Sequence, residues 1–466
     1  MKRLTAFLLV IISVFLLCSC GQSEKEEFLL DFDDMDTEKV DYDGYTFNVW
    51  SNILDGDNEA LFSYVPGTLA SDLLLQRIRD IEKEFNCKLN IQTDGTGRLT
   101  GVEPILLSGS YVGDVMFMSS PANKIRAGLL YPLDGLQEYI DYNDSIKYGG
   151  YGFLEEGLYN SVPYTVAPVR WPGKQGQTSF GVFAINENLI MRYGLNDPRD
   201  YLENGVWNWE MFEKCLPEFR IDDGTVQTKS VNITWTLIDF CLMNGVNYYD
   251  VQSDGTVEPA LDSEQLEEAL DFCSRVFTQY SDCVSFLGHD AMLGPFKNNE
   301  IVMTQTAVNH IIRFLSYDMD NYGIVPMPCG PHGTYGEWVN AHSENDCFGI
   351  FYNTNDPEAS ARIIDRFCDP FNGYETDEAL MDFMSSIFFD DRDVALLMEL
   401  NKHVRWQYWP IGAIDSFFSN AKSLAEHGKP ASEIIEKYSG AAVQSIIKHV
   451  IPNVEFIENY KKSHDE

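Results

Sequence analysis

Residues 45–50 read YTFNVW, residues 71–85 SDLLLQRIRDIEKEF and residues 88–93 KLNIQT. In the first stretch Tyr45, Phe47 and Val49 alternate with Thr46 and Asn48, the period of a half-buried strand. In the second, Leu74, Ile78, Ile81 and Phe85 fall on one helical stripe, with Ser71 placed to cap it. The third reads as another strand. VEPILLSG (102–109) then predicts a short helix and GDVMFM (113–118) a third strand. Strand, helix, strand, helix, strand is an open α/β unit with a largely parallel sheet.

Downstream the grain changes. GLYNSVPY (157–164) and SFGVFAIN (179–186) are strand-like and flank a Pro/Gly-rich loop, 168–176. Helices follow from Asn208, Thr234 and Asp262, the last keeping Leu266, Ala269, Leu270, Cys273, Val276, Phe277 and Tyr280 on one packed face. YGIVPM (322–327) and DCFGIFY (346–352) read as strands joined by a loop containing CGPHGTYGEW. From about Asp356 the chain is helical again, without an internal repeat.

At the other end, Lys2 and Arg3 precede an apolar run, Leu4 to Leu17, placed as the core of an export signal. Leu17-Cys18-Ser19-Cys20 matches the bacterial lipobox, so residues 1–19 are expected to be a lipoprotein signal peptide and Cys20 the lipidated first residue. Residues 20–43 then form an acidic linker too polar to fold alone. The EF-hand pattern is incomplete around Asp31, Asp33, Asp34 and Asp36.

The 466 residues carry 72 acidic against 33 basic side chains, a formal charge of -39, which argues against a nucleic-acid partner. The eight cysteines beyond Cys18 and Cys20 show neither CxxC pairs nor zinc spacing and read as small buried apolar residues; a Cys273–Cys283 disulfide stays open. Eight histidines are scattered without HExxH, and GxSxG, P-loop and dinucleotide fingerprints are missing. No metal, cofactor or catalytic residue is expected.

Taken in order, several stretches resemble the extracellular solute-binding proteins of ABC importers, in the family that includes many sugar-binding lipoproteins. They are LLSGSYVGDVMFM, FGVFAINENLIMRYGLNDPRDYLENGVWNWEMFEKC, PFKNNEIVMTQT, YGIVPMPCGPHG, NDPEASARIIDRF and HGKPASEIIEKY. Asn299 and Val302 depart from the glycine and alanine usual there. The resemblance implies a two-lobed periplasmic-binding-protein-like fold of type II. One lobe would comprise residues 44–164 and 329–368, the other 165–328 and 369–466, with hinges near Val162–Val166, Pro326–Gly330 and Cys368–Gly373. It also implies a monomer, held to the outer face of the cell membrane through its lipid anchor. This receptor would close on a carbohydrate, an oligosaccharide above all, and deliver it to a permease and its ATPase.

A sugar site needs aromatic platforms and a few polar partners. Trp50, Trp171, Trp338, Trp406 and Trp409 lie at strand ends or in loops and are the candidate platforms; Trp207, Trp209 and Trp235 read as core. Ser51, Asn52, Ser119 and Asn309 are candidate polar partners. Two rival readings stand beside this one. An exported glycoside hydrolase would need paired carboxylates across a cleft, and a receptor of the same fold could take a peptide or another solute.

Overall fold

The computed structural model describes residues 40–51, 61–94, 99–119, 121–175, 181–234, 237–316, 318–342, 345–406 and 411–464. Cys20, Asn52, Trp235 and Trp409, together with the signal segment and most of the acidic linker, lie outside the described residues.

Two sheets organise the chain from Tyr42 onward. The first contains β1 (Thr46–Ser51), β2 (Lys88–Gln92), β3 (Val115–Ser119), β4 (Leu130–Tyr131), β5 (Thr165–Val166) and β14 (Asp346–Phe351), in the order β2-β1-β3-β14-β4 with β5 also on β14. β1 is parallel to β2 and β3, while β14 runs antiparallel to its neighbours. β1 alternates as its sequence requires, burying Phe47, Val49 and Ser51. The helix between β1 and β2 spans Leu69–Glu84; its cap is Thr68, whose side chain accepts from the Ser71 amide. Ser71, expected to cap, instead sits inside the first turn, because helix geometry starts one hydrogen-bonded turn before the apolar stripe.

The second sheet has the order β10-β7-β11-β6-β12, from β6 (Val182–Asn186), β7 (Lys229–Asn232), β10 (Val284–Ser285), β11 (Ile301–Thr306) and β12 (Tyr322–Pro326). Two short pairs stand outside it: β8 (Tyr249–Val251) with β9 (Val257–Pro259), and β13 (Asn340–His342) with β15 (Val404–Trp406). All five residues of the inner strand β6 and of β12, at the sheet's end, are buried, as expected for strands covered on both faces.

The chain crosses between the sheets later than expected. Thr165 and Val166 still pair with Gly349 and Phe348 of the first sheet, and Lys174 still bonds Asp346, so the first crossing lies between Lys174 and Val182. Residues 329–338, expected in the first lobe, lie against the second. Cys329 bridges Asn208, Gly330 donates its amide to Met243, and Trp338 belongs to the second core. Glycine is needed at 333, because a Cβ there would stand 2.1 Å from the Met243 carbonyl oxygen.

The last helix, Ile451–His464, belongs to neither lobe alone. Val454 packs in the second core and Ile457 in the first. Asn453, buried, donates to the Leu158 carbonyl and accepts from the Ser161 amide, at the turn of a small Leu158–Pro163 hairpin on the first lobe. Asn160 and Ser161 both take positive φ in that turn, at 49° and 64°, the backbone that a two-residue hairpin loop demands. The eight described cysteines are buried free thiols, Cys273 and Cys283 among them.

Candidate ligand site

In open α/β sheets ligands gather beyond the carboxyl ends of the strands. At that end of the first sheet Ser51 closes β1, Ser119 closes β3 and Asp346 opens the antiparallel β14. Ser119 donates its hydroxyl to Asp346 Oδ1 at 2.6 Å, and Lys174 donates to Asp346 Oδ2 at 2.6 Å. The lysine is buried and its ammonium lies 5.3 Å from the centre of the Tyr64 ring. Burial presses the Asp346 carboxyl toward its neutral form. The Lys174 charge, with hydrogen bonds from Lys174, Ser119 and Ser63, outweighs that and holds it below the usual carboxylate range. Ser51 accepts the Phe62 amide at 2.7 Å and so fixes the segment that brings Ser63 and Tyr64 alongside.

The matching end of the second sheet is polar in a different way. Asn232 ends β7 and donates to Thr304 and Thr234. Thr234 gives its amide to Gln305 Oε1 and its hydroxyl to the Gln305 carbonyl, and Gln305 donates to Asp239 Oδ2 at 2.5 Å. These neutral side chains and one carboxylate are buried. Beyond β11 the chain turns through Val308–His310 into a π-helix, Ile311–Leu315, a local geometry often found at functional sites. Asn309 sits in this turn, its Oδ1 buried without a hydrogen-bond partner among the described residues. A buried acceptor left unmet costs about 1–3 kcal/mol, which an arriving donor would recover.

Ser63, Tyr64, Pro172 and Gly173 from the first lobe and Ile312 and Ser316 from the second line one cavity of about 310 Å³. Of the expected residues, Ser51 and Ser119 end β1 and β3 and Asn309 lies in the turn after β11; none of the three lines this cavity.

The tryptophans fare differently. Trp171, expected as a platform, is corrected: its ring is fully buried among Phe62, Tyr64, Phe117, Phe348 and Phe371, and its indole donates to the Phe367 carbonyl. The Pro/Gly loop folds back over the core, so the tryptophan anchors it and the loop's next residues reach the groove. Trp338, 6% exposed, sits edge-on to Tyr335 at 4.9 Å in the second core. Trp50 packs on a face of the first sheet, its indole donating to the Val112 carbonyl. Trp406, 3% exposed, lines a different cavity.

Sequence reasoning missed Lys174, Asp346, Gln305 and Asp239. Gln305 alone carried a signal, as a polar residue interrupting an apolar strand in MTQT (303–306), whereas Lys174 lies in the Pro/Gly loop, Asp346 at a strand's start and Asp239 in the short Ile238–Leu242 helix.

Comparison with protein-family models and with curated proteins finds no match. Solved structures do match in fold. An ABC substrate-binding protein from Listeria monocytogenes in complex with cycloalternan is similar at 15% identity, over 87% of this chain and 99% of its own, with a TM-score of 0.57. The maltose/maltodextrin-binding domain MalE from Bdellovibrio bacteriovorus bound to maltotriose is similar at 12% identity, 86% and 100% coverage and a TM-score of 0.54. UgpB from Mycobacterium tuberculosis in complex with glycerophosphocholine gives 14%, 86%, 98% and 0.59. The chain therefore has the two-lobed periplasmic-binding-protein-like fold expected from its sequence.

Proposed function

We propose that the chain is the substrate-binding component of an ABC importer, capturing a carbohydrate, an oligosaccharide in the first place, by closure of its two lobes. The observation that supports this is one cavity lined by Tyr64, Pro172 and Gly173 from the first lobe and by Ile312 and Ser316 from the second. The sugars named in two of the structural relatives support the ligand class, and glycerophosphocholine in the third marks how far the same fold ranges. Ser119, Asn309 and the segments carrying Ser51 and Asn52 would supply hydrogen bonds. Trp409 would supply aromatic surface. Closure is driven by the ligand's contacts with both lobes, so the affinity difference between open and closed states sets the shift in population. Covalent chemistry has no part in this reading.

Under the same reading the protein is monomeric and works outside the cell, anchored through lipid on Cys20 and handing its cargo to a permease with its ATPase. Among the described residues no helix is long and apolar enough to cross a membrane.

A thermal-shift screen of the chain against neutral oligosaccharides, uronates, peptides and glycerophosphodiesters tests the proposal, with product analysis on each hit. An unaltered oligosaccharide at one hundred times its Kd should stabilise the native state by about 2.7 kcal/mol. A peptide as the sole stabiliser overturns the ligand class, and a cleaved sugar overturns the non-enzymatic reading.

A further inference from the structure

A second cavity among the described residues lies elsewhere. It measures about 640 Å³ and none of its lining comes from the strands of the two large sheets. Its walls are the Tyr151–Glu156 helix, which leads into the first lobe's hairpin, the β8 strand of the second lobe, β15, and the C-terminal helix that packs on both lobes. Gly152 allows the close approach that forms one wall, since a Cβ there would stand 2.3 Å from the Val404 carbonyl oxygen.

The lining has two kinds of surface. Buried within it are Tyr248, Trp406, Val454 and Ile457, with the Glu155 carboxylate among them. Around the mouth stand polar groups on more exposed residues: Arg405, whose guanidinium donates to Asn247 Oδ1 at 2.5 Å, and Lys461, which bonds Glu458 at 2.7 Å while lying 4.9 Å from the Tyr151 ring centre. Asp250 and Gln252 complete this rim. An apolar, partly aromatic floor under a rim of donors and acceptors suits a ring with C–H faces and hydroxyl edges. Two cations against three carboxylates, Glu155, Asp250 and Glu458, leave the local charge close to balance, which favours a neutral ligand over an ion. The volume lies within the roughly 300–1,000 Å³ range of small-molecule sites.

We propose that this cavity is a second ligand site, for a small neutral sugar or polyol, and that its occupancy biases the angle between the lobes. The second half follows from the walls. Because they come from both lobes, any change of lobe angle reshapes the cavity, so a ligand here has different affinities for the open and closed forms. Its effect on the cleft is then reciprocal: each ligand changes the other's affinity by the same factor. This does not depend on what the cleft itself binds.

The test is hydrogen exchange on the full chain with maltose and sorbitol as probes at millimolar concentration, read on peptides covering 248–252 and 404–406. A probe should slow exchange there in the native chain and in Asn309→Ala. In Arg405→Ala and Tyr249→Ala, both altered at accessible rim positions, half-protection should need at least tenfold more probe. Three results would overturn the proposal: exchange unchanged by either probe, protection that vanishes in Asn309→Ala and is therefore closure relayed from the cleft, or protection indifferent to both rim substitutions. Peptides covering 115–119 and 301–309 report the cleft separately. If no oligosaccharide protects them while the 248–252 peptide responds, the cleft reading fails and this one stands.

Discussion

Replacing Lys174 by Met leaves Asp346 in a buried position with its strongest partner removed. The side chains of the pair are 5% and 13% exposed, so solvent screens them little. Removing one partner of a buried ion pair costs about 3–5 kcal/mol, most of it the desolvation of the charge left behind. For a unit the size of one lobe, at roughly 2–4 °C per kcal/mol, the unfolding midpoint should fall by about 6–20 °C. The loss also has a pH signature. In the native chain the Asp346 carboxyl titrates below its unfolded value, so its contribution is present above about pH 4 and disappears as pH falls through the lower folded value. In Lys174→Met burial prevails and the folded value rises above the unfolded one. The carboxyl then favours folding only while protonated, and the variant loses stability as pH climbs from about 4. Urea titrations of both proteins from pH 4 to 8 should show the gap widening toward neutral pH. The double variant Lys174→Met/Asp346→Asn should recover to within about 1 kcal/mol of the native chain, because no unpaired charge remains. A single-variant loss under about 1 kcal/mol, or a gap indifferent to pH, would refute this account of the first sheet's end.

Other outcomes can be stated more briefly. Asn309→Ala should weaken oligosaccharide binding roughly tenfold, equivalent to about 1.4 kcal/mol, by calorimetry, without lowering unliganded stability. Trp171→Ala should cost about 3–5 kcal/mol in denaturant unfolding, as a large core truncation does, whereas Trp171→Phe should cost far less; a ligand-platform role would instead show as lost affinity with normal stability. Asp393, fully buried against Arg199 and near Asp390, Glu187 and Tyr322, has its carboxyl raised to about 7, first by burial. Its proton therefore supports the fold fully below about pH 4, and that support fades as pH rises through 7. Asp393→Asn should remove a slope of up to about 1.4 kcal/mol per pH unit between pH 5 and 7, measured by urea midpoints.

Much of the fold could be read from local pattern. β1, the Leu69–Glu84 helix and β3 follow from local pattern, and the helices expected from Asn208 and Asp262 form, capped by Asn208 and Ser263. The site was less legible. Asp346 and Lys174 lie 172 positions apart, and each alone reads as a solvated charge. Trp171 misled because a Pro/Gly loop identifies itself as a turn without revealing which way its side chains fold. Asn309 was singled out because it follows a strand at a recognisable place, whereas Gln305 and Asp239 meet only through the packing of the Ile238–Leu242 helix on the second sheet.

The position of β14 has a consequence for how the chain acquires its structure. This strand, residues 346–351, lies between β3 and β4, and also pairs with β5. The first lobe therefore cannot complete its sheet until all five strands of the second sheet, residues 182–326, have been threaded past it, and an unfilled edge of β3 waits meanwhile. Contacts of such sequence separation slow folding and expose edges to wrong partners. During vectorial delivery of the chain, all five strands of the second sheet would be present before the first sheet could close, although the first lobe's strands begin earlier.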